Sequence, residues 1–261
     1  MNKTETVFSV EGLRFAYPGS APLFDGLDLS VSDGRITTIL GQNGCGKSTL
    51  LHLLSRGLKA DAGHIFYRGR DIRSMGQREF AGQVAMVHQK NTVPRDVTVE
   101  MLVGYGRTPH CSLWHGRKTE HDREVIEWAL RLTDTAEIRH RCVAALSGGQ
   151  LQRVWIAMAL AQETKVIFLD EPTTYLDVRY QIEIMNLVRR LNREHAMTVV
   201  MVLHDINQAL GYSDEIIAMR AGRLVCQREA DHFYDTAVLA KIYDTALPVY
   251  HTEAGAIVRT F

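Results

Sequence analysis

Neither sign of charge dominates this chain: thirty Lys and Arg residues stand against thirty Asp and Glu. A balanced chain has no bulk field drawing it to nucleic acid or to an anionic membrane surface. Long apolar runs are missing too. The longest, near Val154–Ala161 and Thr198–Leu203, fall well short of the ~20 residues a membrane span needs. Met1 to Glu5 is polar and no apolar stretch follows, which argues against a secretory signal. Cysteine is scarce: Cys45, Cys111, Cys142 and Cys226 show neither metal-ligand spacing nor a disulfide framework, so a reduced, cytosolic setting is expected. No internal repeat or low-complexity tract is visible. What the chain does have is core material, with 46% of its 261 residues hydrophobic. That suits one or two domains with a substantial interior.

Residues 41–49 read Gly-Gln-Asn-Gly-Cys-Gly-Lys-Ser-Thr, a phosphate-binding loop of the form GxxxxGK[ST]. Gly41, Gly44 and Gly46 allow the backbone to turn its N–H groups inward around anionic oxygens. Arg35–Leu40 reads as a strand before the loop, and Lys47–Ser55 has helical composition after it. That context matters, because the helix N-terminus adds donors and a positive dipole end. Lys47 should reach the β- and γ-phosphates, and Ser48 should ligate Mg²⁺. A second glycine-rich run, Leu-Ser-Gly-Gly-Gln, occupies 146–150.

Around these runs the periodicity alternates. Val7–Tyr17, Leu23–Val31, Gly63–Tyr67 and Val84–His88 read as strands, and Met75–Gly82 as a helix. The middle is helical: Thr98–Gly106, Thr119–Leu132 with Thr119 and Asp122 as a capping box, and Gly148–Gln162. Lys165–Leu169, apolar after its lysine, and Met197–Leu203 read as buried parallel strands. Between them Val178–His195 is amphipathic, with Ile182, Met185, Val188 and Leu191 expected on the core face. Glu215–Met219 and Leu224–Gln227 predict a hairpin across Ala221-Gly222. A short helix around Ala237–Tyr243 and two small strands follow. The pattern predicts an α/β fold with a discontinuous core, 1–90 and 161–230, a helical subdomain at 91–160 and a C-terminal extension at 231–261.

Several polar residues fall at strand ends, where parallel α/β sheets bind ligands. Val166-Ile-Phe-Leu-Asp-Glu171 ends in two carboxylates. Asp170 would hold the Mg²⁺ shell with Ser48, and Glu171 could polarise an attacking water as general base. His204 follows the next apolar strand and could meet the γ-phosphate, with Asp205 as a helix cap. Gln89 ends the strand before the helical section, where a neutral amide can sense Mg²⁺ and water. Tyr17 ends the first strand, where an aromatic could stack on a base.

Tyr17, GQNGCGKST at 41–49, Gln89, LSGGQ at 146–150, VIFLDE at 166–171, TYLD at 174–177 and His204 occur in an order that resembles the ATP-binding-cassette ATPases. LSGGQ discriminates, since other phosphate-loop NTPases lack it. The resemblance covers nearly the whole chain. It implies a phosphate-loop NTPase core with a mostly parallel sheet, an N-terminal antiparallel β subdomain and an inserted helical subdomain. It implies ATP and Mg²⁺, held by Tyr17, Gly41, Gln42, Asn43, Gly44, Cys45, Gly46, Lys47, Ser48 and Thr49. The metal would be reached by Ser48, Gln89 and Asp170, and catalysis carried by Glu171, His204, Lys47 and Gln89. It also implies a second copy packed head to tail, whose Ser147, Gly148, Gly149 and Gln150 complete the site. Tyr175, Leu176 and Asp177 would lie in the loop that communicates across that dimer.

A cassette without a membrane span delivers its work to another chain. The resemblance implies two transmembrane permease subunits docking near 88–117, an indirect link to a substrate-binding protein, and a place on the cytoplasmic face of the cell membrane. No nucleic-acid partner is expected. Gly104-Tyr-Gly-Arg-Thr-Pro-His110, Leu113-Trp114, Ala161–Thr164, Tyr175 and Leu203–Gln208 look like the ATPases of ferric-siderophore, haem and cobalamin importers. Ferric siderophore is the first expectation, with haem, cobalamin or a non-transport cytosolic cassette as alternatives. Arg228–Tyr234 departs from the Gly-x-Pro run common at that point.

Overall fold

The computed structural model describes residues 5–92, 95–110, 119–252 and 255–260. The chain forms two compact units, Met1–Met75 with Thr198–Phe261, and Gly76–Met197.

The first unit begins with β1 (Thr6–Phe15), β2 (Phe24–Ser32), β3 (Ile36–Gly41), α1 (Lys47–Leu54), β4 (Ala62–Tyr67) and β5 (Arg70–Asp71). β1 pairs antiparallel with both β2 and β4, and β5 closes the edge. These strands bury one face, through Phe8, Val10, Leu13, Phe24, Leu27 and Ile65, and leave intervening residues in water. That alternation is the usual mark of a half-solvated antiparallel sheet. β3 behaves differently: every residue from Ile36 to Gly41 is buried.

The chain then passes through the second unit, with α2 (Gln77–Ala81), β6 (Val84–Val87), α3 (Val99–Tyr105), α4 (Glu120–Leu132), α5 (Gly148–Leu160), β7 (Val166–Asp170) and α6 (Val178–His195). β6 and β7 pair in parallel, Val84 opposite Val166 through Val87 opposite Leu169. The helices are started by side-chain caps. Thr98 accepts from the Met101 N–H, and Thr119 forms the expected capping box with Asp122.

On its return to the first unit the chain adds β8 (Thr198–Val202), α7 (Ile206–Tyr212), β9 (Glu215–Arg220), β10 (Arg223–Glu229), α8 (Thr236–Tyr243), β11 (Val249–Thr252) and β12 (Gly255–Val258). β3 sits between β8 and β9, parallel to both. The predicted β9–β10 hairpin forms, with Ala221 and Gly222 both at positive φ (46° and 74°). Positive φ at both central residues is what a tight hairpin turn requires.

One predicted face is wrong in part. α6 spans the predicted residues, but Ile182 is 49% exposed. The buried stripe is Ile184, Met185, Leu187, Val188 and Leu191. Ile182 lies roughly 120° around the helix from Val188, beyond the edge of that stripe, so helical spacing from Met185 alone misplaces it.

The section read as a family resemblance at 104–110 has a structural task. Arg107, 2% exposed, lies just past α3. Its Nε donates to Asp122 Oδ1 at 2.7 Å, and its Nη1 to the Ala161 carbonyl at 2.9 Å and to Glu163 Oε2 at 2.5 Å. One guanidinium therefore ties α3, α4 and the end of α5. Burial pushes the Asp122 carboxyl up, but hydrogen bonds from Arg107 and Thr119 outweigh it and hold its pKa down to about 2.

Replacing Arg107 with Leu leaves the buried Asp122 without its cation, and loss of one partner of a buried pair costs about 3–5 kcal/mol. Urea unfolding at neutral pH should show a loss of that size. Because the Asp122 pKa is depressed, its share is present above about 4 and disappears as pH falls toward about 2. The gap between wild type and Arg107→Leu should narrow over that window; a gap constant with pH contradicts the assignment.

Candidate functional site

In the first unit, the buried strand β3 runs into the phosphate loop and α1 leaves it. Two glycines are fixed by crowding. A Cβ on Gly41 would lie 2.2 Å from the Met219 carbonyl oxygen, and one on Gly46 would lie 2.8 Å from the Phe24 ring. Gly46, at φ 103°, is also the N-cap of α1 and offers it no side-chain hydrogen bond. No side chain at that position competes for the first amides of the helix, where an anion is best stabilised.

Lys47 is only 5% exposed. Its ammonium donates to the carbonyls of Gly41 and Gln42, both at 2.9 Å. The loop thus holds the charge it would turn toward phosphates, partnered by neutral dipoles that anionic oxygens can outcompete. Asn43 and Gly44 are exposed at the loop tip, and Cys45 is buried. Burial raises the Cys45 thiol above its ordinary pKa despite the nearby Lys47, so it stays a protonated packing residue.

Tyr17 lies two residues beyond β1. Its hydroxyl and Thr49 Oγ1 share a hydrogen bond of 3.0 Å, and its ring stands edge-on to Phe15 with centroids 5.0 Å apart. It remains 44% exposed, an aromatic anchored at its tip with surface left for stacking. His204 is exposed beyond β8, and Asp205 caps α7 as expected, accepting the Gln208 N–H at 2.8 Å.

In the second unit, Asp170 ends β7 and is 4% exposed. Glu171 follows at φ 51°, a left-handed backbone unusual for a non-glycine residue. Its Oε2 accepts from Gln89 Nε2 at 2.5 Å and from Thr174 Oγ1 at 3.0 Å. The structure therefore brings together Gln89 and Glu171, which are far apart in sequence. It adds Thr174, which the sequence reading passed over. Such a carboxylate is aimed by backbone and by two donors, as a base that must orient water should be.

The LSGGQ run starts α5. Ser147 caps it, accepting the Gln150 N–H at 3.4 Å, while the Gln150 side chain accepts the Ser147 N–H at 3.2 Å. Ser147 and Gly148 are exposed and Gly149 is buried. A Cβ on Gly149 would lie 2.3 Å from the Tyr180 ring. Tyr180 belongs to the first turn of α6, which Asp177 caps at 3.1 Å. Gln181 Nε2 donates to the Leu176 carbonyl at 2.9 Å. The LSGGQ helix start and the TYLD turn are thus packed as one piece. Tyr175, at φ 64°, is 85% exposed at its tip.

Within the expected docking segment, Met101 and Tyr105 of α3 are exposed. Cys111, Leu113 and Trp114, with the rest of 111–117, lie outside the described residues. Among the described residues no helix is long and apolar enough to cross a membrane. No group of three or more His, Cys, Asp or Glu side chains gathers there as a metal cage. Magnesium does not need one, since it is commonly held by one or two protein oxygens together with substrate phosphates. The hydroxyl of Ser48 and the carboxylate of Asp170 are hard oxygen donors of that kind.

A phosphate loop with a buried lysine, a strand-end Asp-Glu pair and a capped LSGGQ helix define a nucleotide-hydrolysing cassette. The chain belongs to the ABC transporter family, whose pattern it matches over residues 24–174, and it is an ATPase of that family. It is 43% identical over 235 residues to the iron(3+)-hydroxamate import ATP-binding protein FhuC of Bacillus subtilis, covering 90% of this chain and 87% of that protein. It is 40% identical over 242 residues to the ferric enterobactin transport ATP-binding protein FepC of Escherichia coli, covering 92% and 89%. Among solved structures, a metal-chelate type ABC transporter in an inward-facing conformation superposes with a TM-score of 0.83 at 28% identity, over 98% of this chain and 96% of that one. The bacterial cassette MJ0796, solved as a dimer, gives 0.74 at 26% identity, over 85% and 98%.

The Gly149 contact separates two glycines that look alike in sequence. Gly149→Ala should cost about 1–3 kcal/mol through overpacking, whereas Gly148→Ala, whose Cβ would sit 3.5 Å from Leu176, should unfold within a degree or two of wild type. Thermal unfolding of both, and of Gly149→Ala combined with Tyr180→Ala, checks this: the second change should restore part of the loss.

Proposed function

We propose that this chain is the ATPase subunit of an importer for an iron complex, a ferric siderophore by preference. It works on the cytoplasmic face of the cell membrane beneath two separate permease subunits. A substrate-binding protein feeds them. The observation that carries the reading is one complete phosphate loop and one solvent-facing LSGGQ helix start in the same chain. The cargo is supported by the relatives' names, which include petrobactin import at 46% identity as well as hydroxamate and enterobactin.

ATP binds at the phosphate loop, with Lys47 on the β- and γ-phosphates, the amides of Asn43 to Thr49 around them and Tyr17 against the adenine. Ser48 and Asp170, with Gln89, would hold Mg²⁺, which offsets phosphate charge. Glu171 orients and deprotonates the attacking water, and His204 steadies the γ-phosphate. A second copy, packed head to tail, lays Ser147, Gly148, Gly149 and Gln150 over the same phosphates. The helical subdomain, 91–160, carries most of the permease-docking surface near 88–117.

Glu171→Gln keeps the side chain's shape but removes the base. It should bind ATP normally and lose ~10²–10⁴-fold in turnover; turnover near wild type would sink the base assignment. Ser147→Arg should abolish most hydrolysis while isolated monomers bind ATP as before. Uptake of ⁵⁵Fe-hydroxamate in cells lacking the gene tests the cargo: loss of iron uptake with haem and cobalamin uptake intact supports the siderophore reading, and the reverse pattern rejects it.

A further inference from the structure

The C-terminal segment has no part in the chemistry above, yet it holds the phosphate loop. α8 packs into the first unit through Val238, Leu239 and Ile242. The carbonyl of its last residue, Tyr243, accepts a hydrogen bond from Gln42 Nε2 at 2.6 Å. The phenol of Tyr243 is buried without a hydrogen-bond partner among the described residues, and burial raises its pKa. Arg220, at the end of β9, pins the same end of α8, donating to the Lys241 carbonyl at 3.2 Å and pairing with Asp244 at 3.0 Å.

Gln42 is the link to the nucleotide. Its side chain is held by α8, and its own carbonyl is one of the two on which the Lys47 ammonium rests, at 2.9 Å. The same carbonyl accepts the Cys45 N–H at 3.3 Å. A path of hydrogen bonds therefore runs from the α8 C-terminus through one residue to the lysine. A second tether lies at the other end of the segment. Asn207 exchanges two hydrogen bonds with Val258 of β12, at 2.9 and 3.0 Å, from the first turn of the helix that follows His204.

We propose that Gln42 is a positioning residue through which the C-terminal helix α8, residues 236–243, sets the nucleotide affinity of the phosphate loop. The inference rests on ATP binding at that loop. Without the anchor, the Gln42 peptide is free to move, and the lysine loses a defined place from which to meet the phosphates. Coupling of this kind is reciprocal: if α8 steadies the loop for ATP, ATP at the loop must steady α8.

The test uses the full-length chain. Gln42→Leu removes the donor and Gln42→Glu sets a carboxylate against the Tyr243 carbonyl. Gln42→Arg keeps a donor of sufficient reach. Leu and Glu should raise KM for ATP about fivefold to tenfold, the factor one hydrogen bond supplies, with kcat within about twofold. Arg should recover part of that loss in KM. A general loss of structure would lower kcat instead and would not be rescued. Independently of any variant, ATP should slow amide exchange in residues 236–243 of the wild type, and Gln42→Leu should abolish that protection. An unchanged KM in Gln42→Leu, or exchange in 236–243 that ignores ATP in the wild type, overturns the proposal. The wild-type ATP titration stands apart: no binding there overturns the underlying ATPase reading.

Discussion

The phosphate loop is shaped by glycine backbone packed tightly against its neighbours. Gly41 approaches the Met219 carbonyl so closely that one added carbon would overlap it, and Gly46 does the same against the ring of Phe24. Met219 lies on β9 and Phe24 on β2, so the loop is wedged between two sheets of the first unit. Everything else at this end follows from that confinement. The helix after the loop starts without a side-chain cap, the lysine folds back on the loop's own carbonyls, and the amides remain arrayed for an anion. The loop is not a flexible strap but a rigid edge of the core, preorganised for charge.

The second unit solves a related problem by other means. Its functional residues sit at turns where the backbone is strained or capped. Glu171 and Tyr175 take left-handed backbone four residues apart, and Asp177 then caps α6. Such strain persists only where surroundings over-determine it. Here Gln89 and Thr174 hold the Glu171 carboxylate, and Tyr180 lies over Gly149. The buried Arg107 cluster behind α3 and α4 keeps the helices themselves in register.

Much of this was legible in the residues. Motifs with fixed spacing, the two glycine-rich runs and the Asp-Glu strand end, placed their side chains correctly on strands, turns and helix starts. Capping chemistry at Thr119 and Asp205 belongs to the same legible class, because a cap depends only on its own next three residues. What escaped were contacts between distant segments. Nothing local marks Arg107 as a buried hub, Thr174 as a support for Glu171, or the Tyr243 carbonyl as an acceptor for Gln42. A backbone carbonyl has no sequence signature at all. Ile182 failed for a milder reason: an apolar residue at helical spacing can fall just past the edge of the buried stripe.

The capping box at Ser147 has an electronic side. Its Oγ spends a lone pair on the Gln150 amide, and Gln150 returns an oxygen to the Ser147 amide. One lone pair is thus turned inward, and the hydroxyl hydrogen remains a donor toward solvent. The exposed Gly148 beside it adds no side chain that could supply an oxygen. With the amides of the first turn beside it, the helix start is a surface rich in donors. It favours an anionic oxygen over an ammonium, so a preference for the sign of its visitor is written into how the helix begins.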